Sequence, residues 1–206
     1  MIYLDHAATT PVPREVADAM YEVLTEQFGN PSSQYPFGAD MKRRVEGWRR
    51  TVADALGCEP GRLFFTSCGT EGDNWAIRGA VELGKRKGKH IVTTAIEHAA
   101  VLEPIRDLAS QGFEVTYLKP DRTGHINPGD LERALRPDTV LVSMMLVNNE
   151  LGTLLPVKEA AEAIKRSGSP ALLHTDAVQG FLKVPFTPKD LGVDLLTISG
   201  HKVRAP

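Results

Sequence analysis

Several residues able to do chemistry stand directly behind apolar runs. In "TISGHKVRAP" (residues 197–206), Ser199, His201 and Lys202 crowd around one Gly. A free lysine titrates near 10.4, so a nucleophilic or Schiff-base lysine needs desolvation or a cationic neighbour, and His201 supplies a candidate setting; a frayed, solvated tail is the plainer alternative. In "PALLHTDAVQG", Asp176 follows a buried-strand pattern, where a carboxylate must meet a cation, either a ligand or a structural Arg, and Gln179 stands three residues on. In "FTSCGTEGDN", Gly69 and Thr70 lead into a helix. They form either a phosphate cradle at the positive end of the helix dipole or an ordinary cap by Thr70 with Glu71 and Asp73 in the first turn. The Gly-Lys-Ser/Thr ending of a P-loop is missing. His98 in "IEHAAVLEP" could stack on a flat ligand or move a proton near neutral pH, or simply bond the helix start. In "VNNELG", Asn149 either directs an amide at a ligand or belongs to a polar turn closed by Gly152.

The elements that must carry these residues alternate. Strand-length apolar runs "RLFFTS", "HIVTTA", "FEVTYL", "TVLVSMML", "PALLHTD" and "DLLTIS" are separated by amphipathic helical patterns such as "TEGDNWAIRGAVELGKRKG", "HAAVLEPIRDLASQG", "NPGDLERALRP" and "PVKEAAEAIKRSG". Two further helices come first, in "VPREVADAMYEVLTEQF" and "FGADMKRRVEGWRRTVADALG", the second ended by Gly57. Nearly continuous apolar strands between amphipathic helices predict an α/β fold with a mostly parallel, mixed sheet flanked by helices. Ligands bind such sheets at the carboxyl ends of their strands. The chemistry-bearing residues are all expected there, on one rim.

Composition narrows the function classes. The formal net charge of −2 argues against nucleic acid as an electrostatically recruited partner, and the basic run 85–89 is expected to be a solvated helix end. No signal peptide and no apolar run long enough for a membrane span is visible, so a cytoplasmic protein is expected. Cys58 and Cys68 lack the spacing of a zinc site and are expected to be structural or incidental reduced thiols, with no metal.

A phosphate cradle, a stacking imidazole, an amide donor, a buried carboxylate for a pyridine nitrogen and a lysine for an aldehyde together match one cofactor, pyridoxal 5'-phosphate. The motifs "YLDHAATTP", "FGNPSSQYPFG", "FTSCGTEGDNWAIRG", "EHAAVLEP", "VNNELGTLLPV", "HTDAVQG" and "SGHKVRAP" run in order along the chain. Through them it resembles the amino-terminal part of the cysteine desulfurases of the NifS/IscS type, class V of the fold-type I pyridoxal-phosphate enzymes.

That resemblance implies roles. Lys202 is similar to the lysine that bonds the cofactor, with Asp176 on the pyridine nitrogen. His98 is similar to the residue stacked on the ring, which also takes part in proton transfer. Asn149 and Gln179 match residues near the ring hydroxyl; Gly69, Thr70, Ser199 and His201 match phosphate ligands; Asn30, in the "NPSS" loop, borders the substrate site. The implied reaction removes sulfur from L-cysteine, giving L-alanine and an enzyme persulfide for iron-sulfur cluster or thio-cofactor biosynthesis. A sulfur-acceptor protein such as an iron-sulfur scaffold is the implied partner, and a homodimer the implied assembly. Selenocysteine lyase and class V aminotransferase share the same cofactor residues, and a noncatalytic cofactor-binding fragment or partner subunit is an alternative of another class.

Tyr35 stands where many members have His, and Ala205 where many have Gly. The resemblance also implies a truncated large domain. Residues 15–206 are its incomplete cofactor-binding part, and residues 1–14 are a segment that packs with a small domain outside the sequence. The acceptor Cys and the substrate-carboxylate Arg are implied to lie beyond residue 206, so the isolated chain is expected to be inactive.

Overall fold

Proline marks the start of both helices in the first of two units. The computed structural model describes residues 2–206, which divide into one unit of Met1–Phe65 with Gly200–Pro206 and another of Thr66–Ser199. In the first unit, α1 (Arg14–Glu26) follows Pro13, and α2 (Pro36–Leu56) takes Pro36 in its first turn, where the missing N–H leaves nothing unpaired. Gly57 ends α2 with φ 69°, a left-handed conformation that favours glycine. The segment before α2 folds tightly onto it: a Cβ on Gly38 would lie 2.6 Å from the carbonyl oxygen of Asn30, so this position admits no side chain without rearrangement. None of the α1 residues is buried, so its apolar stripe remains exposed at Tyr21, Leu24 and, just beyond it, Phe28.

The second unit is built on strands β1 (His90–Thr94), β2 (Glu114–Leu118), β3 (Thr139–Ser143), β4 (Leu172–Asp176) and β5 (Leu195–Thr197). They form one sheet in the order β2-β1-β3-β4-β5, and every pair is parallel. Helices α3 (Gly69–Gly84), α4 (Ala99–Ser110), α5 (Pro128–Ala134), α6 (Val157–Ser167) and the short α7 (Pro188–Leu191) precede or connect the strands. The expected α/β architecture, with helices on both faces of a parallel sheet, is observed.

Alternation along the strands sorts the core into two layers. Ile91 and Leu141 pack with Ile77, Val81, Val101 and Ile105 of α3 and α4. Their neighbours Val92 and Val142, with Leu173, pack with Leu131, Val157 and Ala160 of α5 and α6. Successive strand residues point to opposite faces, so two apolar residues in a row supply both layers.

The winding direction reverses once. From β1 the chain crosses to β2 on one side and then returns past β1 to β3 on the other, so the carboxyl ends of β1 and β3 flank a topological switch point, the place where ligands bind in open α/β sheets.

One expected strand is absent. "RLFFTS" forms no ladder among the described residues and leaves Phe64 and Phe65 more than half exposed. Aromatic strand propensity is realised only against a paired neighbour. Among the described residues no helix is long and apolar enough to cross a membrane, and no group of three His, Cys, Asp or Glu could hold a metal ion.

Leu141 is fully buried at the centre of the α3/α4 layer. Leu141→Ala is expected to destabilise the fold by about 2–5 kcal/mol, measured as a shift of the denaturant midpoint.

Candidate active site

Within the second unit, the rim residues gather at the carboxyl end of the sheet. Asp176 is the last residue of β4 and only 6% exposed; its Oδ1 accepts from the backbone N–H of Val178 at 2.9 Å, which fixes the carboxyl at the mouth of the following turn. Gln179 lies in that turn, half-buried, and its Oε1 accepts from Lys183 Nζ at 3.1 Å. Ser199 follows β5, and a Cβ built on Gly69 would lie 3.4 Å from the Cβ of Ser199 and from Val178, which brings the start of α3 against the turns after β4 and β5.

The start of α3 differs from the cap considered above. The N-cap position is Cys68, not Thr70, and no side chain makes a capping hydrogen bond. Thr70 is exposed within the first turn. The backbone N–H of Glu71, with the Ser67 hydroxyl and the N–H of Thr70, pulls the exposed Cys68 thiol below its usual range. The same helix start therefore favours negative charge and can receive a phosphate through Gly69, Thr70 and Ser199. Asp73 is not an exposed first-turn acid. It is 1% exposed, because the helical period puts it on the stripe that continues through Ile77 to Val81.

Beneath the rim lies a dry polar row. The register aligns Thr93 with Ser143 and Ser143 with His174, and it pairs Asp176 with Thr197. His174 is fully buried; its Nδ1 meets Ser143 Oγ at 2.9 Å, and its Nε2 meets Thr197 Oγ1 at 3.2 Å, with Asp73 Oδ1 farther off at 3.5 Å. Strand residues two apart share a face, so His174 and Asp176 both turn toward α3.

His98 is the N-cap of α4, its Nδ1 accepting from the N–H of Ala100 at 3.1 Å, and its ring is exposed beside Thr70 along a groove of about 450 Å³ that continues past Asn74 and Arg78. It is thus a helix-start hydrogen bonder that also presents its ring to the rim. Two ties hold its turn to the chain after β3. Glu97 Oε1 accepts from Thr94 Oγ1 at 2.7 Å and from the N–H of Met145 at 2.9 Å. Asn148 Nδ2 donates to the carbonyl oxygen of Ile96 at 3.1 Å, while Asn148 Oδ1 accepts from the N–H groups of Glu150 and Leu151. Asn148 is therefore the buried structural amide of the "NN" pair, and the half-buried Asn149 sits in the turn that Asn148 organises.

Lys202 and His201 belong to the other unit, in a 3-10 turn over Gly200–Lys202. They do not form a frayed tail. Lys202 Nζ donates to the carbonyls of Ala7 and Ala8, the latter at 2.7 Å, and Thr10 bonds the carbonyl of His201 through both its N–H at 3.0 Å and its hydroxyl at 2.8 Å. Partial burial and then the Lys202 charge push the His201 imidazole below its usual range. Asn30 is exposed, its Oδ1 accepting from the N–H of Ser32 at 2.9 Å.

Glu97 and His174 escaped the sequence reading, in which Asp73 is only a first-turn acid and Asn148 only part of the polar "NN" turn. A signal existed for Asp73 in its i, i+4 relation to Ile77, and for His174 in its i, i+2 relation to Asp176. Glu97 carried none, because a turn has no period.

Fully buried, Glu97 is pushed up to about 8, first by desolvation and then by the negative charges of Asp176 and Asp73, against the bonds from Met145 and Thr94. The folded state then keeps a proton that the unfolded chain loses above about 4.5, so stability falls as pH rises from about 4.5 to about 8, by up to about 1.4 kcal/mol per pH unit. Glu97→Gln is expected to remove that slope in unfolding curves taken across this range. His174→Ala, which strips the Ser143 hydroxyl of its ring partner, is expected to cost about 1–3 kcal/mol in the same measurement.

Comparison with known proteins adds the wider context. The family model described as aminotransferase class-V matches residues 2–206. Cysteine desulfurase IscS of Methanosarcina thermophila is 49% identical over 205 residues, spanning 100% of this chain and 50% of its own length. A solved NifS-like protein superposes with a TM-score of 0.96 at 39% identity, covering 100% of this chain and 56% of that one. SspA, solved in complex with cysteine, superposes with a TM-score of 0.94 at 36% identity, covering 100% of this chain and 59% of that one. The chain spans about half the length of the curated relatives it matches.

Proposed function

The chain belongs to the aminotransferase class-V family, and on that premise we propose that it is part of a pyridoxal-phosphate-dependent cysteine desulfurase. The protein that contains it removes sulfur from L-cysteine, leaves L-alanine and passes the sulfur as an enzyme persulfide to an acceptor protein such as an iron-sulfur scaffold. The reading includes a cytoplasmic homodimer, and the division of the sequence into a leading segment 1–14 and a cofactor-binding part 15–206. The likeness to SspA, solved with cysteine, supports the substrate.

The observation that carries the reading is a buried Asp176 on the same rim as a helix start without a side-chain cap, at the carboxyl end of a parallel sheet. A doubly bonded phosphate-and-pyridine ligand needs both. Bound pyridoxal phosphate supplies an electron sink for bond breaking at the substrate Cα and Cβ.

The chain's own residues do the rest. The first-turn N–H groups of α3, with Thr70, Ser199 and His201, hold the phosphate, and the absence of a side chain at Gly69 leaves room for it. Asp176, held by the Val178 N–H, keeps its negative charge against a ring N–H and so keeps that nitrogen protonated. Asn149 and Gln179 would lie by the ring oxygen. His98 covers the ring face and moves a proton at its Nε2, the nitrogen that its own helix cap leaves available. Lys202 Nζ would hold the cofactor through its aldehyde carbon, with the aldehyde oxygen leaving as water, and as an amine it would carry a proton at the substrate carbon; Asn30 would border the substrate.

The test begins with pyridoxal phosphate added to the chain, followed by borohydride reduction and peptide mapping. One covalent label is expected on Lys202 and none in Lys202→Ala; a label persisting in that variant removes Lys202 from its role. In the protein that contains this chain, alanine and sulfide are expected from L-cysteine, and His98→Ala is expected to lower turnover by roughly 10²–10⁴-fold. Turnover of selenocysteine alone, or transamination without sulfide, would replace desulfuration by one of the sister activities.

A further inference from the structure

The turn between β1 and α4 carries His98, and it is fastened by a residue that the reaction above does not use. Glu97 is 6% exposed, with its carboxyl wholly enclosed. One oxygen, Oε1, takes two hydrogen bonds, from Thr94 Oγ1 at the end of β1 and from the N–H of Met145 just beyond β3. The other, Oε2, is buried with no hydrogen-bond partner among the described residues. No ion pair is formed by Glu97 among the described residues, and the charged groups that act on it are Asp176 at the end of β4 and Asp73 on α3. The buried imidazole of the α3 face, His174, is engaged by Ser143 and Thr197 and stands 3.5 Å from Asp73; on Glu97's own turn, His98 is turned toward the N–H of Ala100.

An ionised carboxylate in such a place, with two acidic neighbours and no cation, would be prohibitively costly. A protonated carboxyl keeps the same two acceptor bonds at Oε1 and puts its hydrogen on Oε2. We propose that Glu97 is a positioning residue acting as a neutral acid: it clamps the His98 turn across the β1/β3 switch point and leaves Asp176 without a second anionic carboxyl beside it. The clamp is placed to matter, because the strand order reverses between β1 and β3, and Asn148 to Ile96 is the other side-chain tie across that gap among the described residues. Its consequence is separation of roles between two carboxyls in one dry region, one neutral and structural, the other charged and facing the ligand. The part concerning Asp176 rests on the cofactor reading; the clamp and the proton do not.

The test uses the full chain and three forms, wild type, Glu97→Gln and Glu97→Ala. Infrared difference spectra between pH 6 and pH 9.5 are expected to show a protonated-carboxyl C=O band in the wild type that is lost on raising the pH, and Glu97→Gln is expected to lack it. Pyridoxal phosphate binding, followed by its visible absorption, is expected to stay within about 3-fold of wild type in Glu97→Gln and to weaken by ~10-fold or more in Glu97→Ala. Above pH 8, binding is expected to weaken in the wild type and to hold steady in Glu97→Gln. Should Glu97→Ala fail to fold, rescue by Gln is read from thermal unfolding instead. A wild type without the protonated band, or a Gln variant no better than Ala, overturns the proposal. If no form binds pyridoxal phosphate while the band is present, the cofactor reading fails and the neutral clamp stands.

Discussion

Three carboxyl groups, from Asp73, Glu97 and Asp176, are withdrawn from water at one end of the sheet, and this concentration of acid in a dry space governs the surrounding architecture. Each must be met by a donor, by a proton or by a ligand, because an unanswered buried charge costs more than a domain's entire stability margin. The polar row on the α3 face is the first response. Ser143, level with His174 by strand register, and Thr197, reached from His174 diagonally on the same face, satisfy one another where purely apolar residues would leave Asp73 facing hydrocarbon. The Thr94 and Met145 donors answer Glu97, and the Val178 N–H answers part of Asp176.

The sheet makes that arrangement possible. Parallel strands all end on the same side, and their ends open onto helix starts, so N–H groups and acidic side chains arrive together without any long-range folding of loops. Reversal of strand order between β1 and β3 leaves a crevice that side chains must bridge. Glu97 and Asn148 do so from opposite directions, one accepting from the β3 side and the other donating back to the β1 side. The exposed His98 and the half-buried Asn149 are thereby mounted on turns held from beneath.

Much of this was legible in the residues. Paired apolar residues such as Ile91-Val92 and Leu141-Val142 announced a sheet covered on both faces, and His98, Asn149, Asp176 and Ser199 do stand at or beyond the carboxyl ends of β1, β3, β4 and β5. Two kinds of information were not local. "RLFFTS" has strand composition but forms no ladder among the described residues, and pairing is a property of two segments. Likewise "NN" could not say which amide is buried, since that depends on Ile96, 52 residues away, and "EH" could not reveal that Glu97 is the more enclosed member. Sequence patterns identify the surface that meets a ligand more readily than the scaffold behind it, because the former is assembled from strand ends and the latter from contacts between them.

The two units differ in how the chain is threaded through them. Residues 66–199 form one continuous stretch, whereas the other unit joins residues before 66 to residues 200–206, through the bonds of Thr10 and Ala8 to His201 and Lys202. On the ribosome, the continuous unit has all its strands in hand before the discontinuous one can close. Segment 5–10 must wait for every residue of the sheet to be made, about 10–40 seconds at roughly 5–20 residues per second. Lys202 thus gains its carbonyl partners Ala7 and Ala8 only after the whole sheet has been made, so the segment that receives it is among the first of the described residues to be synthesised and among the last to find its contact.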